Sequence, residues 1–263
     1  MKFKLPYFIW GLITTLVIGL CSCTLGNSQP TLVVAIAASL TDVMAEIRAE
    51  FQAQHPDISI QFNTAASGTL QRQIEQQAPI DIFASAALEP VESLAQKGFV
   101  ETEAIRIFAK NQLVLIQNQQ SQPQLNHLED LADEDVPKVA LGNPKTVPAG
   151  KYAANLLEKY PQLYETLEQS QKLVFGENVR QVLTYVQNQS VTAGFVYQTD
   201  IFQQSNLRVI ESFSPELTDS ILYAIAPIKT SLHQSQGQLF IDFILGQQSQ
   251  AILQKYGFLS PRD

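Results

Sequence analysis

Cysteine is almost absent from this chain, which has two cysteines among 263 residues, at positions 21 and 23. The sequence from residue 24 onward therefore has no thiol for a disulfide, for nucleophilic catalysis or for metal binding. Histidine is also scarce, and His55, His127 and His233 lack the spacing of a zinc site. No G-x-S-x-G motif is present to carry a serine nucleophile. These absences disfavour cysteine chemistry, a zinc site and an α/β-hydrolase.

Basic residues are outnumbered, with 17 Lys and Arg against 25 Asp and Glu, so the formal net charge is −8. Removal of residues 1–22 would take away Lys2 and Lys4 and no acidic residue, which leaves a net charge of −10. Nothing in the sequence forms the basic stripe that binds phosphate backbones. We therefore expect no nucleic-acid partner.

A long, continuous apolar run occurs at the start, where "LPYFIWGLITTLVIGL" occupies residues 5–20 after two lysines. A basic start, an apolar core and a small-residue end are typical of a secretory signal, so we predict an export signal at residues 1–22. The alternative is an uncleaved membrane anchor, for which the run is short. Residues 20–23 resemble a bacterial lipobox, although Cys21 stands where a smaller residue is usual. The resemblance implies that Cys23 is lipidated and becomes the new N-terminus.

From Thr31 onward, strand-like apolar stretches alternate with helical patterns. "TLVVAIA" is typical of a buried strand, and "SLTDVMAEIRAEF" has apolar residues at helical spacing, with Ser39 as its expected N-cap. Such alternation predicts an α/β fold with mainly parallel sheets flanked by helices.

Two long apolar strands, near 112–116 and 221–228, bracket a central block of the sequence. This pattern is typical of a two-lobed protein whose lobes are joined by two hinge strands. We therefore predict one lobe from residues 31–112 and 224–263, and a second lobe from residues 113–223.

Four predicted helix starts share a similar composition. In "TAASGTLQRQI", residues 64–74, small residues stand immediately before a helix that begins near Ser67. Ser39 follows "AIAA", Pro148 stands at a first-turn position, and Asn178 is an expected cap. The first backbone N–H groups of a helix lack intrahelical partners and carry partial positive charge. Small neighbours allow another group to approach them closely.

Each of these starts alone is typical of ordinary helix capping. Alternating α/β folds, however, gather helix N-termini beside the carboxyl ends of their strands, and a cluster of such N-termini binds anions. None of the four starts has Arg or Lys among its small residues, although Lys145 and Lys151 are nearby. We therefore predict an uncharged anion site of backbone dipoles and hydroxyls.

Five segments resemble, in the same order, the signature segments of the periplasmic molybdate-binding proteins of ABC transporters: "AIAASLTDVMAEI", "SGTLQRQIEQQAPIDIFASA", "GNPKTVPAGKYA", "ENVRQVLTYV" and "AGFVYQTD". The resemblance extends from about Thr31 to Phe258 and implies the type II periplasmic binding protein fold. Ala66 departs from the family, which commonly has a serine there, but that position is not one of its usual ligand contacts.

The resemblance also implies a ligand, molybdate or tungstate, and a set of contacts. Ser39 and Ser67 would provide hydroxyl and backbone donors from the first lobe. Ala149 and Val179 would provide backbone N–H groups from the second lobe, and the phenol of Tyr197 would complete the site. Because none of these groups ionises between about pH 6 and pH 9, we expect an affinity that is nearly independent of pH.

Two alternatives to a molybdate-binding protein remain at this point. A protein of the same fold could bind sulfate, phosphate or a chelated metal, and an enzyme could act on an oxyanion ester. The enzyme would need a base, and a carboxylate pair such as Asp81 and Asp200 would repel a bound oxyanion. We expect both aspartates to be structural hydrogen-bond partners, and we expect no enzyme activity.

The resemblance implies a membrane permease as the protein partner and a periplasmic or other extracytoplasmic location. Contact with the membrane itself would come through a lipid on Cys23. We expect a monomer that needs no cofactor and binds no free metal cation, since molybdenum would arrive as its oxyanion.

Overall fold

The computed structural model describes residues 1–2 and 30–261. Apart from residues 1–2, the predicted export signal lies outside the described residues, and so does Cys23. Among the helices of the described residues, none has the length and apolar character needed to span a bilayer.

The elements alternate as the sequence predicts. The strands are β1 (Thr31–Ala37), β2 (Ser59–Ala65), β3 (Ile82–Ser85), β4 (Arg106–Asn111), β5 (Leu113–Asn118), β6 (Val139–Gly142), β7 (Leu173–Gly176), β8 (Ala193–Tyr197), β9 (Leu207–Ser212) and β10 (Ile221–Pro227). The α-helices are α1 (Thr41–Gln54), α2 (Ser67–Glu75), α3 (Glu89–Gln96), α4 (Pro148–Glu158), α5 (Pro161–Gln169), α6 (Val179–Gln187), α7 (Pro215–Thr218), α8 (Gln234–Leu245) and α9 (Gln247–Lys255).

The strands form two five-stranded sheets, with the orders β2-β1-β3-β10-β4 and β7-β6-β8-β5-β9. In the first sheet β1 pairs in parallel with β2 and β3, and β10 is antiparallel to both β3 and β4. In the second sheet β6 pairs in parallel with β7 and β8, and β5 is antiparallel to both β8 and β9. Four strands of each sheet therefore run in one direction, which agrees with the predicted two-lobed α/β fold.

The two reversed strands, β5 and β10, are the ones that the sequence pattern predicts as hinge strands. The chain passes from the first sheet to the second between Asn111 and Leu113, and it returns between Ser212 and Ile221. The whole of β10 lies in the first sheet, from Ile221 onward. The predicted boundary at residues 223 and 224, like the other segment boundaries, stays a prediction.

Neighbouring residues of a strand point to opposite sides of the sheet. In the first sheet the residues on both sides are apolar, so helices cover both faces. On one side Leu70 and Ile74 of α2 pack with Ala35 of β1. On the other side Val34 and Ile36 belong to the same buried cluster as the apolar face of α1. Burial of this kind is the main favourable term in folding. The packed helices hold the strands, and therefore the strand ends, in fixed positions.

The helix starts agree with the sequence in three of four cases. α2 begins at Ser67, α4 has Pro148 at its first position, and the Asn178 side chain accepts a hydrogen bond from the backbone N–H of Gln181 at 3.0 Å. The prediction that Ser39 is an N-cap is wrong. A 3-10 turn, Ala38–Leu40, precedes α1, and no side chain caps that helix.

The reason for the wrong N-cap lies in a contact distant in sequence. The Ser39 hydroxyl is 2.8 Å from the hydroxyl of Tyr223, and it makes no capping hydrogen bond to α1. Strands β4, β7 and β9 and helices α5 and α7 were not predicted, because they are short or partly exposed and show weak periodicity.

Candidate functional site

A small cavity of about 10 Å³ lies where the carboxyl ends of the parallel strands of the two sheets face each other. Its lining includes every residue that the resemblance implies, namely Ser39, Ser67, Ala149, Val179 and Tyr197. All five are buried. The structure therefore brings together residues that are up to 158 positions apart in the sequence.

The first-lobe wall of the cavity consists of three strand ends. Ser39 lies in the 3-10 turn after β1, Ser67 is the first residue of α2 after β2, and Ala86 follows β3. Since β1, β2 and β3 are parallel, their carboxyl ends lie at the same edge of the sheet. The small residues that follow each strand leave that edge open to a ligand.

The second-lobe wall repeats this arrangement. Ala149 is the second residue of α4, Val179 is the first residue of α6, and Tyr197 is the last residue of β8. At these helix starts the hydrogen bonds within the described residues come from the backbone N–H groups of Lys151, Gln181 and Val182. None comes from the N–H of Ala149 or Val179. Two backbone donors are therefore free for a ligand, each at the positive end of a helix dipole.

The two hydroxyls of Ser67 and Tyr197 have defined partners around Ala86. The Ser67 oxygen accepts a hydrogen bond from the backbone N–H of Ala86 at 3.0 Å, which leaves its own hydrogen free. The Tyr197 hydroxyl donates to the carbonyl oxygen of Ala86 across a long distance of 3.4 Å. Burial, as the first cause, raises the pKa of Tyr197 well above its usual value. Tyr197 therefore stays neutral and keeps a proton to donate.

None of the described residues that line the cavity has a charged side chain. Two larger clefts adjoin it, of about 530 and 510 Å³. The larger one is lined by the carboxylates of Glu89, Glu92 and Asp219 and by the lysines Lys145 and Lys151, so acidic groups outnumber basic ones there. The small, uncharged cavity is the better candidate for an anion site, although it is not the largest space in the protein.

A buried ion pair lies directly behind the second-lobe wall. Asp200 accepts a hydrogen bond from the backbone N–H of Tyr197 at 3.0 Å, and Arg180 Nε lies 3.2 Å from its other oxygen without hydrogen-bond alignment. Burial raises the pKa of Asp200 to about 6, and the charge of Arg180 opposes this shift. Asp81 likewise accepts hydrogen bonds from Val33 and Ser231. The prediction that both aspartates are structural hydrogen-bond partners is confirmed.

The lobes touch each other on both sides of the cavity. The backbone N–H of Gly68 donates to the carbonyl of Thr146 at 2.9 Å, and Arg180 pairs with Asp42 at 2.7 Å. Each contact joins a residue of one lobe to a residue of the other. The structure is therefore a closed arrangement, in which both walls of the cavity are in place.

Gly68 allows this close approach of the lobes, because a Cβ there would lie 2.8 Å from the oxygen of Thr146 and 2.9 Å from its Cα. We expect Gly68→Ala to weaken ligand binding by about 1–3 kcal/mol, the usual cost of overpacking. The ligand-free protein should not lose stability, since separated lobes relieve the clash and alanine favours a helix over glycine.

The control for this prediction is Gly237→Ala in α8, where a Cβ would meet only side-chain atoms of Ile82 at 3.6 Å or more. Calorimetric affinity and thermal unfolding of both variants give the answer. Equal affinities for the two variants would mean that closure at Gly68 is not needed for binding.

Sequence reasoning missed three residues of this region: Ala86, Tyr223 and Asn111. Ala86 had a signal, since "IDIFASAA" ends a strand in small residues, as do "AIAAS" and "TAAS". Tyr223 and Asn111 had none, because they reach Ser39 only through the folded pairing of β10 with β4.

Comparisons with known proteins agree on one family. Residues 32–259 match the bacterial extracellular solute-binding proteins. A protein of Bacillus subtilis, YvgL, provisionally named an ABC transporter substrate-binding lipoprotein, is 31% identical over 259 residues, which are 97% of this chain and 98% of YvgL. The molybdate-binding protein ModA of Escherichia coli is 29% identical over 231 residues, which are 84% of this chain and 86% of ModA.

The solved structure of the periplasmic molybdate-binding protein of Azotobacter vinelandii superposes with a TM-score of 0.79 at 21% identity, covering 88% of this chain and 99% of that one. This likeness supports the fold. Members of the matched family bind solutes for transporters, and the expectation that the chain is not an enzyme is confirmed. As the solute-binding component of an ABC transporter, such a protein acts outside the cytoplasm and delivers its ligand to a membrane permease. The chain belongs to the bacterial extracellular solute-binding proteins and has this role.

Proposed function

We propose that this protein captures molybdate or tungstate and delivers it to the permease of its transporter. The observation that carries the proposal is that the five residues Ser39, Ser67, Ala149, Val179 and Tyr197 line one buried, uncharged cavity. We also propose that the protein works as a monomer and that the oxyanion is its ligand, without a further cofactor.

The donors around the cavity suit an anion that carries no proton. The Ser67 oxygen already accepts from the N–H of Ala86, which leaves the hydroxyl hydrogen of Ser67 available to a ligand. The N–H groups of Ala149 and Val179 are donors by nature. An oxyanion without protons can accept from all of them, and hydrogen bonds to a charged group are among the stronger ones in proteins. Hydrogen phosphate carries an O–H group of its own, which would face N–H donors that cannot accept a hydrogen bond.

The relatives support molybdate as the ligand. The Escherichia coli relative is named as a molybdate-binding protein, and so is the Azotobacter vinelandii structure. Sulfate is the main competitor, since it also carries two charges and no proton. Sulfate is the smaller tetrahedron, so its oxygens would reach fewer of the donors that molybdate would contact.

A thermal-shift panel of molybdate, tungstate, sulfate and phosphate tests the proposal. A ligand present at about 100 times its Kd adds about 2.7 kcal/mol to stability. We expect molybdate and tungstate to raise the unfolding temperature strongly, with little change from sulfate and none from phosphate. A shift with sulfate or phosphate, and none with molybdate, would overturn the proposed ligand.

We also propose that Cys23, which lies outside the described residues, anchors the exported protein through a lipid. The name of the Bacillus subtilis relative includes the word lipoprotein, which agrees with the lipobox-like residues. The wild-type protein should partition into detergent, and Cys23→Ser should be released or remain an unprocessed precursor. Cys21→Ser is the matched control and should still partition. A fully water-soluble mature protein that begins beyond Cys23 would contradict the anchor.

A further inference from the structure

A chain of buried hydrogen bonds leads from the hinge to the cavity. The Ser39 hydroxyl is 2.8 Å from the Tyr223 hydroxyl, and the Asn111 side-chain nitrogen is 3.1 Å from the same Tyr223 oxygen. Asn111 also donates to the Thr199 hydroxyl at 2.8 Å. Tyr223 is fully buried, and Ser39 and Asn111 are nearly so. Tyr223 and Asn111 are not among the residues that the resemblance implies as ligand contacts.

The chemistry of the Asn111 side chain decides which groups donate and which accept in these hydrogen bonds. The Asn111 side-chain oxygen accepts a hydrogen bond from the backbone N–H of Gln112 at 2.9 Å, which fixes the orientation of the amide. The amide nitrogen therefore faces Tyr223, and an NH₂ group can only donate. The Tyr223 oxygen accepts from Asn111. Its single hydrogen is then available to the Ser39 oxygen, which lies 2.8 Å away.

The proton of Tyr223 is retained over the whole physiological range. Burial, followed by the charge of Asp200, raises the pKa of Tyr223 well above its usual value, and the hydrogen bond donated by Asn111 opposes this shift only in part. Tyr223 therefore keeps a hydrogen that it can donate.

We propose that Tyr223 and Asn111 are positioning residues of the binding site, which occupy the Ser39 oxygen and thereby aim its hydrogen at the ligand. This inference rests on the proposed oxyanion function. Ser39 has one hydrogen, and with its oxygen already accepting from Tyr223, that hydrogen is available to the cavity that Ser39 lines. Ser39 is thus held as a donor on one wall, as Ser67 is held by the N–H of Ala86 on the same wall.

The test removes the Tyr223 hydroxyl and keeps the ring. The ring has edge contacts with Phe108, Tyr197 and Phe258, which phenylalanine preserves. Tyr223→Phe should weaken molybdate binding about three- to tenfold, since an unaligned Ser39 hydroxyl loses part of its hydrogen bond to the anion. Because the effect acts through Ser39, Tyr223→Phe should cause no further loss in a Ser39→Ala background. This double-mutant cycle measures the coupling directly.

The matched control is Tyr256→Phe, which removes a tyrosine hydroxyl that donates to Glu46 at 2.9 Å and is not part of the cavity lining. It should leave affinity unchanged. An equal loss from Tyr223→Phe in both backgrounds would mean a merely structural role and would overturn the inference. So would a wild-type affinity in Tyr223→Phe, provided that Ser39→Ala weakens binding.

Failure of the proposed function has a different signature, namely no binding of any oxyanion by the wild-type protein. The hydroxyl directions are then read by neutron diffraction from a deuterated crystal. A deuteron on the Tyr223 oxygen that points to Ser39 supports the assigned direction. A deuteron on Ser39 that points to Tyr223 overturns it.

Discussion

Val179→Pro is expected to lower the affinity for molybdate by about 1.5–3 kcal/mol, the usual contribution of a hydrogen bond to a charged group. This corresponds to a loss of roughly 10- to 150-fold. Proline lacks a backbone N–H, so the substitution removes the donor that Val179 offers to the cavity. Truncation of a side chain cannot test a backbone donor, and proline at this position can.

The fold should tolerate this proline. Val179 is the first residue of α6, where proline is favoured and where its N–H has no acceptor among the described residues. Asn178 before it is extended, with φ −157° and ψ 170°, which is the conformation that a residue before proline prefers. The Asn178 cap to Gln181 remains in place.

Val179→Ala is the matched control, because it removes the buried side chain but keeps the N–H. Calorimetric affinity and the far-ultraviolet spectrum are measured for both variants. We expect a large loss of affinity only for the proline variant, with helical content preserved in both. A proline variant that binds molybdate as tightly as the alanine variant would show that Val179 donates nothing to the ligand.

Ser67→Ala and Ser39→Ala have the next largest expected effects. Each removes a proposed donor to the anion and should weaken binding by about 1–3 kcal/mol. Ser67→Ala should also destabilise the ligand-free protein, because the N–H of Ala86 loses its acceptor in a buried place. Ser39→Ala should not cost a helix cap, since Ser39 does not cap α1.

Titration calorimetry and thermal unfolding of both serine variants check these expectations. The double variant shows whether the two losses add, as they should for donors that do not contact each other. Unchanged affinity in both single variants would place the ligand elsewhere in the protein.

The sequence predicts the α/β class, the two hinge strands and the gathering of helix starts, because these depend on local patterns. Apolar periodicity marks β5 and β10, and small residues before Ser67 mark the start of α2. The fold then brings these starts to one cavity, since parallel strands end at the same edge of a sheet.

The residues around the site could not be predicted from the sequence, because their contacts join parts of the chain that are far apart. Ser39 and Tyr223 are 184 residues apart, and their contact depends on the position of β10 beside β3 and β4. The same contact explains the wrong N-cap, because a local capping preference of about 1 kcal/mol is overridden by a buried hydrogen bond elsewhere. The local pattern predicts that the Ser39 hydroxyl caps α1, whereas in the fold it contacts the Tyr223 hydroxyl.

Asp200 sets the lower limit of the pH range in which the site can be tested. Its pKa is about 6 in the folded protein, above the usual 3.8. The folded state therefore binds this proton more tightly than the unfolded state, and the stability so gained is lost as pH rises through about 6. Below that pH a negative charge beside Tyr197 disappears, which would favour an anion. Above about pH 7 the charge is constant.

The central claim is that uncharged donors hold the oxyanion, and titration calorimetry of molybdate at about pH 7, 8 and 9 tests it most directly. At matched ionic strength, the account predicts one saturable site with the same affinity at each pH. Ser39, Ser67 and the two backbone N–H groups do not ionise there, and burial keeps Tyr197 neutral. A tenfold loss between pH 7 and pH 9, about 1.4 kcal/mol, would mean that a titrating cation holds the ligand, and it would contradict the account.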